Sequence, residues 1–139
     1  MKRNESLGWQ IAVLAKNMAQ DLDEALKAHD LKIGYWPTLF LLWEEEGLSQ
    51  TELAKGCMTE HYTTTRTLDK LEILGLVERR PDPQSRRTFR IFLTDKGRRL
   101  QKPLTAEAEK INEKYLAPLS ETKKESIIKM LQQINRTDD

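Results

Sequence analysis

With 139 residues, 38% apolar and 32% charged, the chain is long enough for one core, and it leaves its helices extensive solvated faces. No apolar run approaches a bilayer span, the opening MKRNESLGWQ lacks a secretory leader's hydrophobic stretch, and the single cysteine, Cys57, excludes an internal disulfide framework. A net charge of +1 hides a strong asymmetry: residues 79–99 hold eight basic side chains against Asp82 and Asp95, and the rest of the chain is net acidic. These features predict a soluble, cytoplasmic single domain whose helices finish burying themselves against a partner. The basic stretch is the footprint expected where one surface meets polyphosphate, although taken alone it also fits a solvated face.

In chain order, Leu7, Ile11, Leu14, Met18, Leu22 and Leu26 recur at three- and four-residue steps and predict a long helix over 5–29. A second helix over 34–46 tolerates Pro37 in its first turn and stops at Gly47; its run Leu39-Phe40-Leu41-Leu42-Trp43 makes it central. Ser49 and Glu52 form a capping box that opens a short helix, in which Leu53 and Ala54 face inward and which Gly56 breaks. After a turn at Cys57 and Met58, another helix runs from Thr59 or Glu60 to Leu74 and is stopped by Gly75. Thr64, Leu68 and Leu71 face inward; His61, Tyr62, Thr63, Thr65, Arg66, Asp69 and Lys70 face outward.

Strands are predicted over 76–80 and 88–93, the second alternating Phe89, Ile91 and Leu93 with Arg90 and Phe92. The polar, proline-rich turn 81–85 between them makes a protruding hairpin. Thr94 caps a helix reaching Leu116, with a kink expected at Pro103. Pro118 ends it, and a last helix from Ser120 or Glu121 carries Ile127, Leu131 and Ile134.

The fold class that follows is mainly α with a small two- to three-stranded β-wing. A capped short helix, a tight turn, a helix with small polar residues on its outer face and a basic hairpin form a winged helix-turn-helix. The physical logic is that one helix fits the major groove of double-stranded DNA while a hairpin arginine reaches the narrow, negative minor groove. Short hydroxyls at Thr63 and Thr65 allow close approach to phosphates or thymine methyls. Arg66 can pair with a phosphate or bind guanine through two hydrogen bonds. The candidate DNA-binding residues are His61, Tyr62, Thr63, Thr65, Arg66, Lys70, Arg86 and Arg87. Thr64, a polar residue at a core position, is expected to bond back to a helix carbonyl.

The stretch LSQTELAKGCMTEHYTTTRTLDKLEILGLVERRPDPQSRRTFRIFLTDKG also resembles the MarR-type transcriptional regulators. Leu53-Ala54, Thr65-Arg66, Leu68-Asp69-Lys70-Leu71-Glu72, Gly75-Leu76-Val77-Glu78-Arg79 and Leu93-Thr94-Asp95-Lys96-Gly97 fall at that family's positions without gaps. The resemblance covers nearly the whole chain, 1–139, as a single domain. It implies a homodimer joined by helices within 1–30 and 98–139, a DNA-binding lobe at 34–96, a pseudo-palindromic operator, and repression relieved by a small ligand or oxidant. The family's effector pocket lies where the dimerisation helices meet the DNA-binding lobe. Trp9, Tyr35, Trp36 and Trp43 are the candidates to line it, with ordinary core packing the competing reading for each. A flat aromatic acid would suit such a pocket if an arginine or lysine stood nearby.

One departure concerns the wing. Arg87 matches the family's tip arginine, but Ser85 stands where an aspartate two residues earlier usually holds it; Asp82 is the candidate substitute. Cys57 lies in a turn where an aliphatic core residue is usual, with no basic neighbour to lower its pKa, and away from the family's peroxide-sensing position. It reads as a buried small hydrophobe. His29 and His61 are far apart and Glu44, Glu45 and Glu46 read as a solvated helix end, so neither a metal nor another cofactor is expected. No nucleophile–base pair or phosphate loop suggests an enzyme. The remaining alternative, a winged helix used only for protein interaction, does not require the clustered arginines.

Overall fold

The first helix matches its apolar repeat and is slightly shorter than the predicted 5–29. In the computed structural model, which describes residues 1–136, α1 spans Leu7–Lys27. The Ser6 hydroxyl starts it by accepting the Trp9 N–H at 3.2 Å. It ends where Asp30 turns left-handed (φ 58°) and the Leu31 N–H returns to the Leu26 carbonyl at 3.0 Å. A 3-10 turn over Ile33–Tyr35 leads into α2, Trp36–Glu44, with Pro37 in its first turn. As its composition requires, α2 is central: Thr38, Leu39 and Leu42 are buried, and the Trp43 indole N–H donates to the Gly97 carbonyl at 3.0 Å.

Leu48–Ser49 forms β1, a strand too short for any alternation to announce it. It pairs antiparallel with β3, Leu48 opposite Ile91 and Ser49 opposite Arg90. The capping box between Ser49 and Glu52 then opens α3, Gln50–Gly56. Gly56 is the last residue of that helix, and the left-handed turn falls two residues later, at Met58 (φ 54°). Close packing accounts for this glycine, since a Cβ there would lie 2.9 Å from Leu41 Cδ1. Next, α4 spans His61–Ile73 and buries Thr64, Leu68 and Leu71 as the pattern requires; Gly75 (φ 72°) turns the chain out of it.

Both wing strands are longer than their apolar alternation: β2 spans Val77–Asp82 and β3 Ser85–Leu93, leaving only Pro83 and Gln84 in the turn. The sheet order is β1-β3-β2, so Pro81 sits on an edge strand, at a register shift where its missing N–H breaks no ladder. The predicted helix from Thr94 to Leu116 is two helices, α5 (Asp95–Arg99) and α6 (Gln101–Leu116). Pro103 is the cause, but the break appears four residues upstream. Lacking an N–H, Pro103 cannot close onto the Arg99 carbonyl, so the interruption falls at Arg99–Leu100 and Pro103 lies in the first turn of α6. Finally α7 spans Glu121–Asn135, capped by the Ser120 hydroxyl. Residues 137–139, the end of the predicted 98–139 dimerisation segment, lie outside the described residues.

The core gathers Leu39, Leu42, Leu53, Leu68, Leu71 and Ile91 from α2, α3, α4 and the sheet. The long helix joins it at its C-terminal end, where Leu26 is buried in the core and Leu22 packs against it, while Leu7, Ile11 and Leu14 from its apolar repeat remain exposed, as do Ile128 and Ile134 on α7. Polar contacts join α1 to α6, where Asp21 Oδ2 accepts from Lys114 Nζ at 2.8 Å and from the Tyr115 hydroxyl at 2.7 Å. The Lys114 hydrogen bond, seconded by Tyr115, holds the Asp21 carboxyl below its ordinary 3.8, while the same bond raises Lys114 above 10.5.

The Asp21 contribution to stability is therefore present above pH 3.8 and lost as pH falls through the lowered value. That of Lys114 is present below pH 10.5 and lost as pH rises through the raised one. Asp21→Asn, which mimics the protonated acid, should lower the melting temperature between these limits and match the parent protein in strong acid. An offset that persists undiminished at pH 2 would show that charge is not what the carboxylate contributes.

Candidate nucleic-acid interface

Because Thr64, Leu68 and Leu71 anchor α4 in the core, its opposite face is left to solvent. His61, Tyr62, Thr63, Arg66 and Lys70 are exposed there. Arg66 Nη1 donates to the Tyr62 hydroxyl at 3.3 Å, and its guanidinium lies 5.7 Å from that ring's centroid, one helical turn away. Thr65 differs from its neighbours. It is half-buried, donates to the His61 carbonyl at 3.0 Å and accepts from the Gln50 amide, which also meets His61 Nδ1 at 3.3 Å. Its hydroxyl therefore joins α3 to α4. The backbone bond expected of Thr64 is thus made by Thr65, whereas the Thr64 hydroxyl pairs with that of Thr59 at 2.9 Å. Both hydroxyls prefer these partners because the α3–α4 turn places them within reach.

On the wing, Arg86 and Arg87 are exposed. Arg87 lines a cleft of about 300 Å³ shared with Ser49, Gln50 and His61, so the wing and the start of α4 face one space. Asp82 does not take the role of its anchor: Asp82 accepts from the Gln84 N–H at 2.9 Å and from Arg90 Nε at 3.0 Å. The Gln84 N–H leads in holding its carboxyl below the usual value, with Arg90 adding to it. Ser85 accepts from the Thr88 hydroxyl at 3.1 Å, and among the described residues Arg87 has no acidic partner within ion-pair distance.

The basic stretch is less uniformly available than its sequence implies. Arg79 pairs with Asp69 at 2.8 Å and Glu72 at 2.7 Å, fastening β2 to α4. Arg80 pairs with Glu78 and lies 4.1 Å from the Phe92 ring centroid, and Arg90 pairs with Asp82. Arg98 bonds Glu46 and Asp95, each at 3.0 Å. Glu46 is thus no solvated helix end, since it also accepts the Leu93 N–H at 2.8 Å. The Arg98 hydrogen bond is the main reason its carboxyl is held below the ordinary value. No local pattern could have singled out Glu46 from Glu44 and Glu45, because its partners lie about fifty residues away. Arg86, Arg87, Lys96 and Arg99 remain outside these ion pairs, Lys96 bonding the Leu74 carbonyl at 3.0 Å.

The four candidate effector aromatics do not converge. Trp36 lines a cavity of about 480 Å³ between α1, α2 and α6, with Met18, Leu22, Phe40, Ala108 and Asn112 among its walls. Trp43 meets Trp36 edge-on at 5.6 Å but spends its N–H on Gly97, and Tyr35 packs against the core. Trp9 is half exposed beside Arg3, 5.4 Å from its guanidinium, in a separate hollow. Aromatic residues close in sequence part company here because α2 turns them to different sides, and Trp9 stands about two and a half turns of α1 away from Met18.

Cys57 is half-buried, its Sγ 3.8 Å from the Thr38 hydroxyl, and burial pushes its thiol above the ordinary value. A thiol in that state is a poor nucleophile. Cys57→Ser should accordingly leave the duplex affinity measured before and after peroxide treatment unchanged; a peroxide response that disappears in the variant would make Cys57 a sensor. Among the described residues, no three His, Cys, Asp or Glu side chains are grouped to hold a metal ion, and no helix is long and apolar enough to cross a membrane.

Comparison with known proteins agrees with this geometry. Residues 32–89 match the model of the MarR family. The chain is 27% identical over 127 residues to YybA, an HTH-type transcriptional regulator of Bacillus subtilis, covering 91% of this chain and 85% of that protein. A MarR transcriptional regulator from Methanosarcina mazei Go1 superposes with a TM-score of 0.90 at 25% identity, covering 94% of each chain. MepR of S. aureus, solved as a DNA complex, superposes with a TM-score of 0.83 at 25% identity, covering 95% of this chain and 98% of that one. With α4, the wing and the long flanking helices in the same order, this chain has the winged helix-turn-helix fold of the MarR-type transcriptional regulators, and its residues 32–89 match that family's model.

Proposed function

We propose that the protein is a homodimeric repressor that binds a pseudo-palindromic operator and is released from it by a small molecule. The observation that carries the DNA contact is the shared exposed surface of α4 and the wing, where Arg66, Lys70, Arg86 and Arg87 lie outside the ion pairs that occupy Arg79, Arg80, Arg90 and Arg98. Arg66 reads base edges in the major groove, with His61, Tyr62, Thr63 and Lys70 beside it. Arg86 and Arg87 follow the backbone into the minor groove. Thr65 acts by setting the angle between α3 and α4. The MepR–DNA complex supports this assignment of the lobe.

Dimerisation belongs to the flanking helices, within 1–30 and 98–139. Leu7, Ile11 and Leu14 on α1 and Ile128 and Ile134 on α7 expose apolar surface that a second copy would bury. Two recognition helices would then enter successive major grooves, about 34–36 Å apart. The effector belongs to the cavity beside Trp36, where α1 and α6 of the dimer frame meet α2 of the DNA-binding lobe; a ligand there biases the spacing of the two lobes.

Selection of bound sites from random duplexes, followed by titration of the selected site at rising salt, tests the reading. A steep fall in affinity with salt and an inverted repeat are expected. The Ile11→Glu variant should sediment as a monomer and bind the repeat weakly. Absence of duplex binding even at low salt would overturn the DNA assignment, and a parent protein that is monomeric at micromolar concentration would overturn the dimer.

A further inference from the structure

We infer that His61 reads a guanine in the major groove through its Nε2–H, and that Gln50 is the positioning residue that holds the ring and fixes its tautomer. This rests on the reading of α4 as the helix that enters the major groove, and names what one of its residues recognises there. Three hydrogen bonds, Thr65 to His61, Gln50 to Thr65 and Gln50 to His61, each run in a determined direction. The His61 carbonyl can only accept, so the Thr65 hydroxyl spends its one hydrogen on it, at 3.0 Å. That leaves the Thr65 oxygen as an acceptor toward Gln50, and the group Gln50 turns to it is therefore the amide NH2. The same nitrogen lies 3.3 Å from His61 Nδ1 and has a second hydrogen to give. Nδ1 accordingly accepts, and the proton of the neutral ring sits on Nε2.

Gln50 and Thr65 are half-buried, whereas His61, the first residue of α4, is exposed. The imidazole is thus tethered through one nitrogen and presents the other. Among the described residues no hydrogen bond occupies Nε2. His61 also lines the cleft of about 300 Å³ that Arg87 enters from the wing, so the ring N–H and the guanidinium offer donors to one space. A helix docked in the major groove touches base edges with its early residues. There guanine presents two acceptors, O6 and N7, and no donor, while cytosine presents an amino donor. Adenine sets an amino group beside its N7, and thymine a methyl beside its O4. A single N–H donor fits guanine best and is opposed by cytosine.

Tautomer and base contact are tested separately, on the full chain at about pH 8, where imidazoles are ordinarily neutral. Long-range proton–nitrogen NMR correlations distinguish a protonated ring nitrogen from a bare one, and with only two histidines in the chain His29→Gln assigns the signals. In the free protein His61 Nδ1 is expected bare and Nε2 protonated. Gln50→Glu, nearly the same shape but able only to accept, should draw a proton onto Nδ1, a change that a packing role for Gln50 would not produce. Affinity is then measured for the selected duplex with each base pair exchanged in turn. One position of each half-site should favour guanine over cytosine by about fivefold or more, and His61→Ala should erase that preference while leaving the others in place. A protonated Nδ1 in the parent, or a Gln50→Glu spectrum that matches the parent's, refutes the tautomer and the role of Gln50. If His61→Ala weakens every duplex alike, His61 touches phosphate and the base contact is wrong. A parent protein that binds no duplex at low salt removes the DNA assignment itself, whatever the spectrum shows.

Discussion

Duplex binding by the Arg66→Ala, Arg87→Ala double variant is expected to fall by about two orders of magnitude or more at moderate salt, with the fold intact. The two substitutions should fail differently when made singly. Loss of a two-bond arginine–guanine contact costs about 1–3 kcal/mol of discrimination, so Arg66→Ala should flatten the base preference at one position of each half-site. Arg87→Ala should weaken every duplex alike and reduce the slope of log affinity against log salt by about 1 per neutralised phosphate. An internal control is available in Arg79, which belongs to the same basic stretch but is held by Asp69 and Glu72. Arg79→Ala should loosen β2 from α4 and lower stability while leaving the salt slope unchanged. Fluorescence anisotropy on the selected site at several salt concentrations distinguishes these outcomes. A double variant with parental affinity and slope would place the contact surface elsewhere.

A comparably large effect on stability is expected from adding one methyl group at Gly97. A Cβ there would stand 2.2 Å from the Leu76 carbonyl oxygen and 3.2 Å from Leu93 Cδ2. The oxygen cannot retreat freely, because it accepts the Thr94 N–H at 3.0 Å and so closes the end of the wing onto the start of α5. Gly97 also offers its own carbonyl to the Trp43 indole, so a displaced α5 would take that bond with it. Overpacking of this kind costs about 1–3 kcal/mol, and here backbone rather than a flexible side chain is struck, which places Gly97→Ala at or beyond the upper end. Trp43→Phe, which removes mainly the hydrogen bond, should cost about 1 kcal/mol. Urea denaturation midpoints measure both. A Gly97→Ala protein as stable as the parent would mean that α5 is free to shift, and would remove the rationale for glycine at this position.

Features governed by neighbours in the chain were legible in the amino-acid order. The Ser49–Glu52 capping box, the inward stripe Thr64, Leu68 and Leu71, and the stop at Gly75 all follow from contacts within one helical turn, and all are present. Pro103 was legible as a breaker, though the break appears at the carbonyl it fails to satisfy, back at Arg99–Leu100. The two-residue β1 was not, because a strand of that length is specified by its partner β3.

The winged helix-turn-helix and the order of its parts were determined by the sequence itself: periodicity, caps and turn residues act locally and sum to one arrangement. Tertiary structure alone decided which charges and aromatics are free to act. The pairing of Arg79 with Asp69 and Glu72, of Arg90 with Asp82, and of Arg98 with Glu46 is set by elements that meet only on folding, so a run of arginines divides into struts and exposed side chains outside these pairs. In the same way Trp36 faces a cavity while Trp43, seven residues on, is fastened to Gly97. Through-space partners of this kind leave no periodic trace, because the chain between them carries no record of their distance.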